Sequence, residues 1–524
     1  MSFGCSEQIE APEATGTVDI FFDLKEISSD ISYLDIVVTD LNDQTILSSK
    51  RKFDDLIKIE LSPGKYQIGI KSNIYFDLSA SNIPKILSGI SEEIKVASNS
   101  TTSTIVTLSS SSALDNIIII TNSPYNAVPN NPDSAHHNSE AFADALNYLD
   151  NQKGGHIIVP KGEFWIKQSI ELQEQVSLIG TGRNSSSKPS DLETGSTITL
   201  RGLNKNTYKG AIEIKGSVNP NSQRRYINIE NLNIRVDDSA ESGIYAQYMT
   251  HFNIENVNIY GTAVNGLWLS SSFNGTVRSS RIEGKNSSSF DTGVLIEVNA
   301  DTGLDVFSGQ MLFENVDVWH NETGLLVRNA TANILAQLIF QKCHFKKNET
   351  GVKIEGAKSK TVTFDACHFE GNNSTDIYVE DDVVSGPSIS NSYFNNSFSP
   401  VLIKLNGKNA SVENCEFERF MDTVVEIKGS QNRIIDNIFK PKSDAFNVTG
   451  IILEKQSEVN AVNCEFNFIE RNTFIKHNQP SYLFECINLQ SSAENTLISL
   501  QHYDDAIQFG SRVIDNSNST QYQG

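Results

Sequence analysis

Carboxylates recur at one turn of a repeated unit in the second half of the chain. Residues 321–324 and 348–351 are both Asn-Glu-Thr-Gly, and Asp291 holds the place of Glu322 and Glu349 before the preceding glycine. If successive copies stack, adjacent carboxylates lie about 5 Å apart and alternate ones about 10 Å. These separations bracket the two geometries of glycoside hydrolysis, and crowding makes one acid of a pair a proton donor. Asp291, Glu322 and Glu349 are therefore candidate catalytic residues, or alternatively solvated turn residues.

A second group of candidates lies in the strands that follow these turns. With period two, the residues that point outward include Tyr245, Trp268, Leu295 and Leu326. The rings of Tyr245 and Trp268 suit stacking on sugar rings. Arg328, in the next outward row, is a further candidate for substrate binding, although that row alternates in charge and is most simply a salt-bridged ladder. Alternatively, a loop, the N-terminal domain or a partner protein covers the apolar row.

The densest acidic clusters are the other candidates for chemistry. They are Asp237-Asp238 and Glu380-Asp381-Asp382. Carboxylate oxygens are the ligands that Ca²⁺ prefers. Asp237, Asp238, Glu380 and Asp381 are therefore candidate metal ligands, and Ca²⁺ is the cofactor that the sequence suggests.

A repeat of about 25 residues positions all of these side chains. Its anchors are Gly243, Gly266, Gly293, Gly324, Gly351 and Gly450, with Asp376, Pro400 and Val424 in the intervening units. A second segment of each unit ends in an apolar pair, often preceded by Asn, which tolerates left-handed backbone and can ladder between copies. One copy cannot bury its apolar side alone, but stacked copies can. The repeat therefore predicts a parallel β-helix.

Two cysteines fit this interpretation. Cys343 and Cys367 occupy the same position in adjacent repeats, each two residues before Phe. Period two places Cys and Phe on one face and His344 and His368 on the other. We expect stacked, buried thiols and two outward histidines about 5 Å apart, which are either solvated or a metal site.

The segment before the repeats carries a family resemblance. A helix is predicted over residues 139–149, capped by Asn138 or Ser139. It precedes Gly-Gly-His-Ile-Ile-Val-Pro-Lys-Gly-Glu-Phe-Trp-Ile at 154–166 and a strand and turn at 176–182. This order resembles the start of pectate-lyase-like superfamily proteins, which include polysaccharide-degrading enzymes and phage tailspikes.

The resemblance implies a right-handed parallel β-helix capped by this helix. Lyases of that superfamily often bind Ca²⁺. The chain has neither the Gly-His-Gly and Arg-Ile-Lys motifs of polygalacturonases nor the Trp-x-Asp-His of classical pectate lyases. The resemblance therefore implies a fold and carries no catalytic residue to this sequence.

The N-terminus indicates a location. Cys5 follows Ser-Phe-Gly and precedes a polar, acidic stretch, which resembles the end of a bacterial lipoprotein signal, and more loosely the surface-export signal of Bacteroidota lipoproteins. We expect lipidation at Cys5 and a place on the outer membrane at the cell surface.

Composition excludes two classes of function. Asp and Glu outnumber Lys and Arg by 64 to 42, and the net charge of −22 disfavours nucleic acid as a partner. No run of 18 apolar residues predicts a membrane-spanning helix.

The expected fold is all-β, a right-handed parallel β-helix preceded by a small N-terminal β-sandwich. The expected divisions are a tether over 1–16, an immunoglobulin-like sandwich over 17–110, a linker over 111–124, the β-helix with its capping helix over 125–500 and a tail over 501–524. The leading functional hypothesis is a surface protein that binds a polysaccharide, with cleavage by a lyase or hydrolase activity as its stronger form. The alternatives are a non-catalytic accessory or scaffold subunit of an outer-membrane protein complex and a tailspike-like depolymerase.

Overall fold

The computed structural model of the chain forms two compact units, residues 1–117 and 118–524, which are described separately. It describes residues 15–24, 33–40, 45–52, 56–72, 75–77, 83–112, 117–151, 154–183, 195–202, 207–217, 223–284, 290–298, 307–329, 334–356, 359–396, 398–442, 448–454, 464–475, 484–489, 493–499, 501–503, 513–515 and 519–523. The expected tether with Cys5 lies outside these residues. No helix in the described part of the chain is long and apolar enough to cross a membrane.

The N-terminal unit is a nine-stranded sheet. Its strands are Gly16–Leu24, Tyr33–Asp40, Thr45–Lys52, Leu56–Leu61, Gly64–Ser72, Tyr75–Asp77, Ile83–Ile90, Ile94–Val96 and Thr101–Ser112. The last strand pairs in parallel with the first and antiparallel with Ile83–Ile90, so it joins two groups of strands. Val18 from one group and Ile36 and Ile68 from the other are buried in one apolar core.

A helix opens the second unit. It runs over Ala135–Asn151 and buries Phe142 and Leu149. The helix begins four residues before the expected start, and Asn138 lies within it rather than at its cap. The fully buried Asn138 side chain accepts a hydrogen bond from Val128 N (2.7 Å) and donates to Val128 O and Trp165 O (both 3.0 Å). Asn138 therefore attaches the helix to the first coils instead of capping it.

The rest of the second unit is a parallel β-helix with three faces. The first face is a 13-stranded sheet of Ile170–Glu171, Ile212–Lys215, Ser242–Gln247, Asn265–Ser270, Phe290–Glu297, Asn321–Arg328, Thr350–Glu355, Thr375–Val379, Val401–Leu405, Thr423–Ile427, Val448–Leu453, Phe484–Leu489 and Val513–Asp515. The other two faces share a 27-stranded sheet, in which Arg224–Val236 and Met249–Gly261 run through both.

The second face contains Ile117–Ile119, Gly155–Val159, Val176–Gly180, Phe273–Arg278, Phe307–Glu314, Ile334–Gln341, Ser359–Asp365, Ser388–Ser390, Ser411–Glu413, Arg433–Ile435, Cys464–Glu465, Phe468–Glu470, Ala493–Ser499 and Ser519–Gln523. The third face contains Gly162–Ile166, Ser196–Leu200, Arg281–Gly284, Asp317–Trp319, His344–Lys346, His368–Glu370, Tyr393–Asn395, Glu416–Glu418, Ile438–Lys440, Thr473–Phe474 and His502–Tyr503. The sheets thus begin within the segment expected to be a linker and continue into the segment expected to be a tail.

The register of the first face follows the predicted repeat except in one unit. Asp376 takes the place of the anchor glycine, as expected, because Thr350 pairs with Thr375. In the next strand Ile377 pairs with Ile403, which puts Leu402 rather than Pro400 at the anchor. The prediction for Pro400 was wrong because the side chain packed in the interior at this position is that of Leu402, which is 0% exposed.

Columns of identical side chains fill the interior. Phe345, Phe369, Phe394, Phe417, Phe439 and Phe474 stack along the third face with ring centroids 4.6–5.3 Å apart. Cys343 and Cys367 are buried free thiols, which confirms the prediction made for them.

Asparagines form a second kind of column. The predicted residues Asn256 and Asn315 have positive φ values of 56° and 55°, as expected of turn asparagines. Asn256 Nδ2 also donates to Asn231 Oδ1 (2.7 Å). A further amide ladder is made by other residues, in which Asn321 Nδ2 donates to Asn348 Oδ1 (2.9 Å) and Asn348 Nδ2 to Asn372 Oδ1 (3.2 Å). These three are fully buried, so their amides must find partners in the neighbouring coils.

Candidate functional site

The three candidate catalytic carboxylates line up where first-face strands begin. Asp291, Glu322 and Glu349 occupy equivalent positions in three adjacent strands. All three are exposed, and Glu349 Oε2 accepts a hydrogen bond from Asn373 Nδ2 (3.1 Å). The alignment is as predicted, while a catalytic role for these residues stays a prediction.

Arg328, the candidate substrate ligand, lies at the opposite end of the same strands. It ends the strand Asn321–Arg328, in which Glu322 is the second residue. At roughly 3.3 Å per residue the two positions are about 20 Å apart. The structure therefore does not bring the proposed catalytic row and Arg328 into one site.

A cleft of about 300 Å³ opens at the end where Arg328 lies. Its lining comes from three adjacent strands and the turns after them: Arg328, Asn329, Glu355, Gly356, Glu380, Asp381 and Asp382. Three residues that were predicted for two separate sites, Arg328, Glu380 and Asp381, thus share one cleft. This cleft is the candidate functional site.

A network of ion pairs holds one wall of the cleft. Lys353 Nζ lies 3.1 Å from Glu355 Oε2 and 3.0 Å from Glu380 Oε1, and Arg328 Nε lies 2.5 Å from Glu355 Oε1. Burial alone would raise the pKa of Glu355, but hydrogen bonds from Arg328 and Lys353 hold it below its usual value. Glu355 is therefore a carboxylate at neutral pH.

The neighbouring phenol, that of Tyr378, is held in its protonated form. Tyr378 Oη donates to Glu380 Oε2 (3.2 Å). Burial, followed by the charge of Glu380, raises the pKa of Tyr378. Asp382 Oδ1 accepts a hydrogen bond from Gly356 N (3.0 Å), and Asp381 is exposed. The site thus combines the ionised Glu355 with the protonated phenol of Tyr378.

The two acidic clusters do not form one metal site. Asp237 and Asp238 lie just before the strand Ser242–Gln247, whereas Glu380 and Asp381 lie just after the strand Thr375–Val379. These two strands are five strands apart in the sheet of the first face. Asp237 Oδ1 accepts a hydrogen bond from Ser239 N (2.9 Å). Within the described residues, no group of three or more His, Cys, Asp or Glu side chains is arranged to hold a metal ion. Calcium binding by any of the four acids stays a prediction.

The aromatic pair is adjacent, as expected, but is not a flat platform. The rings of Tyr245 and Trp268 meet edge to face, with centroids 4.8 Å apart at 66°. Trp268 Nε1 donates to Glu297 Oε1 (2.8 Å), and Lys209 Nζ lies 5.2 Å from the Trp268 ring. Burial, with Glu297 next in effect, raises the pKa of Tyr245.

The apolar outward row is covered within the chain. Tyr245, Leu295 and Leu326 are 6–7% exposed in the isolated molecule, and only Trp268 among the four retains an accessible ring. Their burial needs no partner protein, so the row no longer supports a docking surface. Of these four residues, Trp268 alone is therefore available to stack on a sugar.

Sequence reasoning missed Glu355, Lys353 and Tyr378 as members of the site, whereas Asp382 belonged to the acidic cluster that it identified. Lys353 and Tyr378 belong to the outward row of Trp268, and Glu355 and Glu380 to the row of Arg328. Comparing the two rows across adjacent strands would have placed these side chains together. The salt-bridged ladder that was expected in the second row is present.

A polar network also crosses the third face. His344 and His368 have ring centroids 4.8 Å apart, and His344 Nε2 lies 3.3 Å from His368 Nδ1. Asp317 Oδ1 lies 3.5 Å from His344 Nδ1, and Arg281 pairs with Asp317 (3.2 Å). Burial would raise the pKa of Asp317, but His344 and Arg281 hold it below its usual range.

Solved structures share this fold. A mutant DFA-IIIase from Arthrobacter chlorophenolicus A6 in complex with DFA-III has a TM-score of 0.52 at 12% identity, covering 78% of this chain and 99% of that one. The same enzyme without its lid gives 0.51 at 11% identity, again covering 78% and 99%. The A-module of a mannuronan C-5 epimerase from Azotobacter vinelandii gives 0.42 at 13% identity, covering 74% and 96%.

At these identities the likeness shows the fold alone, and the two DFA-IIIase structures confirm the β-helix prediction. No curated protein matches the sequence. A family model described as a right-handed β-helix region matches residues 210–383 and 336–499, which together exceed half of the sequence. The chain belongs to this right-handed β-helix family.

Proposed function

We propose that this protein binds a neutral polysaccharide along the first face and hydrolyses it in the cleft. The observation that carries the proposal is the arrangement of Glu355, Glu380, Asp381 and Asp382 around one open volume. Glycoside hydrolysis needs two carboxyl groups with different roles. The DFA-IIIase that shares the fold was solved with DFA-III bound, so a β-helix of this size accommodates such a ligand.

The roles within the cleft follow from the surroundings of each acid. Glu355 is held as a carboxylate by Arg328 and Lys353, which suits a base or nucleophile. Asp381 is exposed on the rim, outside the ion pairs of Lys353, where a bound sugar can reach it, so it is the proposed second carboxyl group of the reaction. Trp268, on the same face, supplies a ring for stacking on the polymer.

Charge favours a neutral polymer over a polyuronate. Four carboxylates and one guanidinium line the cleft, and the chain carries a net charge of −22. A polyanionic substrate would be repelled by both. Lyase chemistry requires a uronate, so the charge favours the hydrolase over the lyase.

The test is turnover of a panel of polysaccharides by the full chain. Neutral glucans, xylans, mannans and fructans and acidic alginate and polygalacturonate would be assayed for new reducing ends and for the ultraviolet absorbance of unsaturated uronates. We expect reducing ends from a neutral polymer without absorbance. Absorbance on a polyuronate would overturn the proposed substrate and reaction.

Two substitutions at opposite ends of first-face strands test which end carries the catalytic site. Asp381→Asn should reduce turnover at least a hundredfold, whereas Glu349→Gln should leave it within twofold. The reverse result would move the site to the row of Asp291, Glu322 and Glu349. Binding of a polymer without turnover in the unmodified protein would instead support the accessory, non-catalytic alternative.

Attachment to a membrane is a separate proposal. It is supported only by the sequence around Cys5, where a lipoprotein resemblance places a diacylglyceryl group. Mass spectrometry of the N-terminal peptide of the protein isolated from its own host would find that mass on Cys5. An unmodified cysteine in that peptide would overturn the proposed anchor.

A further inference from the structure

A shallow groove of about 640 Å³ lies on the second face, away from the cleft. Four adjacent strands line it: Phe273–Arg278, Phe307–Glu314, Ile334–Gln341 and Ser359–Asp365. The groove follows the axis of the β-helix because each strand contributes the same positions. Its volume is larger than that of the cleft on the first face.

Left-handed residues bend these strands and make the face concave. The aligned positions are Tyr226, His251, Asn274, Gln310, Gln337 and Thr361, each paired with the next through the register of the strands. Their φ values lie between 52° and 60°. A positive φ is uncommon outside Gly and Asn and is a genuine outlier for β-branched Thr361. Positive φ recurs at turns throughout the β-helix, as at Asn256, Asn315 and Gln431, so in the groove it marks a bend repeated from coil to coil.

The lining is uncharged in a chain rich in charge. None of the ten residues that line the groove is Asp, Glu, Lys or Arg, although these types make up 20% of the chain. The exposed amides of Gln310 and Gln337 offer both donors and acceptors, whereas the Thr276 hydroxyl donates to Asn253 Oδ1 (2.7 Å) and offers an acceptor. Ile339, 44% exposed, adds an apolar surface. This combination matches the hydroxyl groups and C–H faces of a neutral sugar.

The charged residues nearby do not contradict this chemistry. In the adjacent outward row, Arg278 Nε lies 3.3 Å from Glu314 Oε2, and Asp365 accepts a hydrogen bond from Asn391 Nδ2 (2.8 Å). The row therefore carries one positive and two negative charges, which do not attract an acidic polymer.

The repetition of the groove indicates a linear ligand. Equivalent polar groups recur once per strand, at about 4.8 Å, so a ligand that meets them all must itself repeat. The exposed ring of Tyr226, 56% accessible and 5.3 Å from the ring of His251, continues the column at its N-terminal end. An exposed aromatic ring in line with hydrogen-bonding groups suits stacking on a sugar.

We infer that the groove on the second face is a second binding site, which holds a neutral polysaccharide chain parallel to the β-helix axis. The inference rests on the proposed function for its class of ligand, but on different residues and a different face. The groove would hold the polymer while the cleft on the first face acts on it.

Substitution of the left-handed glutamines by glycine tests the site without straining the fold. Gly adopts positive φ at no steric cost, so Gln310→Gly with Gln337→Gly removes two amides and should not destabilise the protein. Gln431→Gly is the matched control, because Gln431 is also exposed, has φ of 62° and lies outside the groove. Thermal unfolding would confirm that all variants are folded.

The readout is binding, measured in Asp381→Asn protein by gel electrophoresis through soluble neutral glucan, xylan, mannan or fructan, with alginate as the acidic comparison. We expect retardation by a neutral polymer, a tenfold or greater rise in Kd for the double glycine variant, and no change for Gln431→Gly. Equal retardation of the double variant and its control, or binding of alginate alone, would overturn the inference.

The same variants separate this inference from the proposed function. With an active cleft, the double glycine variant should lose turnover on a polymer and keep it on a short oligosaccharide that cannot span both faces. Loss of turnover in Asp381→Asn protein with unchanged polymer binding, followed by weaker binding when Gln310→Gly and Gln337→Gly are added, supports the groove separately from the cleft. Capture of a protein rather than a polysaccharide by the groove would contradict it.

Discussion

Asp376 takes the place that Gly351 holds one coil earlier, and so carries a carboxyl group into the interior of the β-helix. Its side chain is fully buried, where Asn372 Nδ2 and Asn396 Nδ2 donate to Oδ1 at 2.6 and 3.1 Å. Burial raises the pKa of Asp376 to about 7, although both hydrogen bonds act to lower it.

The first prediction is that Asp376 makes stability depend on pH. Its folded pKa lies above the unfolded value of 3.8, so its stabilising contribution is complete below about pH 4 and is lost as pH rises through 7. Asp376→Asn should remove this loss, which reaches about 4 kcal/mol at full ionisation. Urea unfolding at pH 5 and pH 8 measures how the free energy of unfolding of each protein changes with pH. Parallel pH profiles for the variant and the unmodified protein would contradict the assignment.

The second prediction concerns the phenylalanine column. Phe369 stacks between Phe345 and Phe394, with centroids 5.3 and 4.6 Å away, and is fully buried. Phe369→Ala should lower the free energy of unfolding by about 3–5 kcal/mol because the column cannot close the cavity. Phe398→Ala, at a residue 71% exposed, is the control and should change it by less than about 0.5 kcal/mol. Similar denaturation midpoints for both variants would argue against a continuous column.

The third prediction is that the core thiols are inert. Cys343, Cys367, Cys415 and Cys486 are buried and free, and burial raises the pKa of Cys415 to about 12. The thiolate is the reactive form, so iodoacetamide should label none of the four in native protein at pH 8. Peptide mass spectrometry should find all four labelled after denaturation. Adducts on Cys343 or Cys367 in the native protein would show that the interior opens there.

The fourth prediction concerns acid sensitivity at His368. Burial, with His344 as the second cause, lowers the pKa of His368 below its usual value of 6.5. At a pH between the pKa values of the folded and unfolded states, this histidine is protonated more in the unfolded chain than in the folded protein. The free energy of unfolding therefore falls as the pH drops below about 6.5. His368→Gln should weaken this fall, whereas His136→Gln, at an exposed histidine of the capping helix, should not. Urea midpoints at pH 7 and pH 5 compare the variants.

Much of the fold followed from periodicity. Alternation and the 25-residue repeat place Cys343 and Phe345 inward and His344 outward, and a parallel stack leaves those directions little freedom. The shift from Pro400 to Leu402 escaped detection because loop lengths vary between coils, and only the packing of Leu402 against its neighbours selects the register. The start of the capping helix was missed because Asn138 bonds to residues remote in sequence.

The candidate site was predicted in fragments. Arg328 and the acids Glu380 and Asp381 were identified for separate reasons, and the structure places them in one cleft with Lys353 between two carboxylates. The repeated Glu322 and Glu349 drew attention because repetition is visible in a sequence, whereas the convergence of the turns that follow three adjacent strands is not.

By itself, the sequence determined the β-helix, the inward and outward rows, the buried thiols and the strong negative charge, because each depends on residue type and on a period that the backbone imposes locally. Only the tertiary structure decided which ends of the strands share a cleft, that Tyr245, Leu295 and Leu326 are covered, and that uncharged side chains from four strands of the second face line one groove. Those features depend on contacts between coils and on the bend of each strand, which involve residues 20 to 40 positions apart and leave no local pattern.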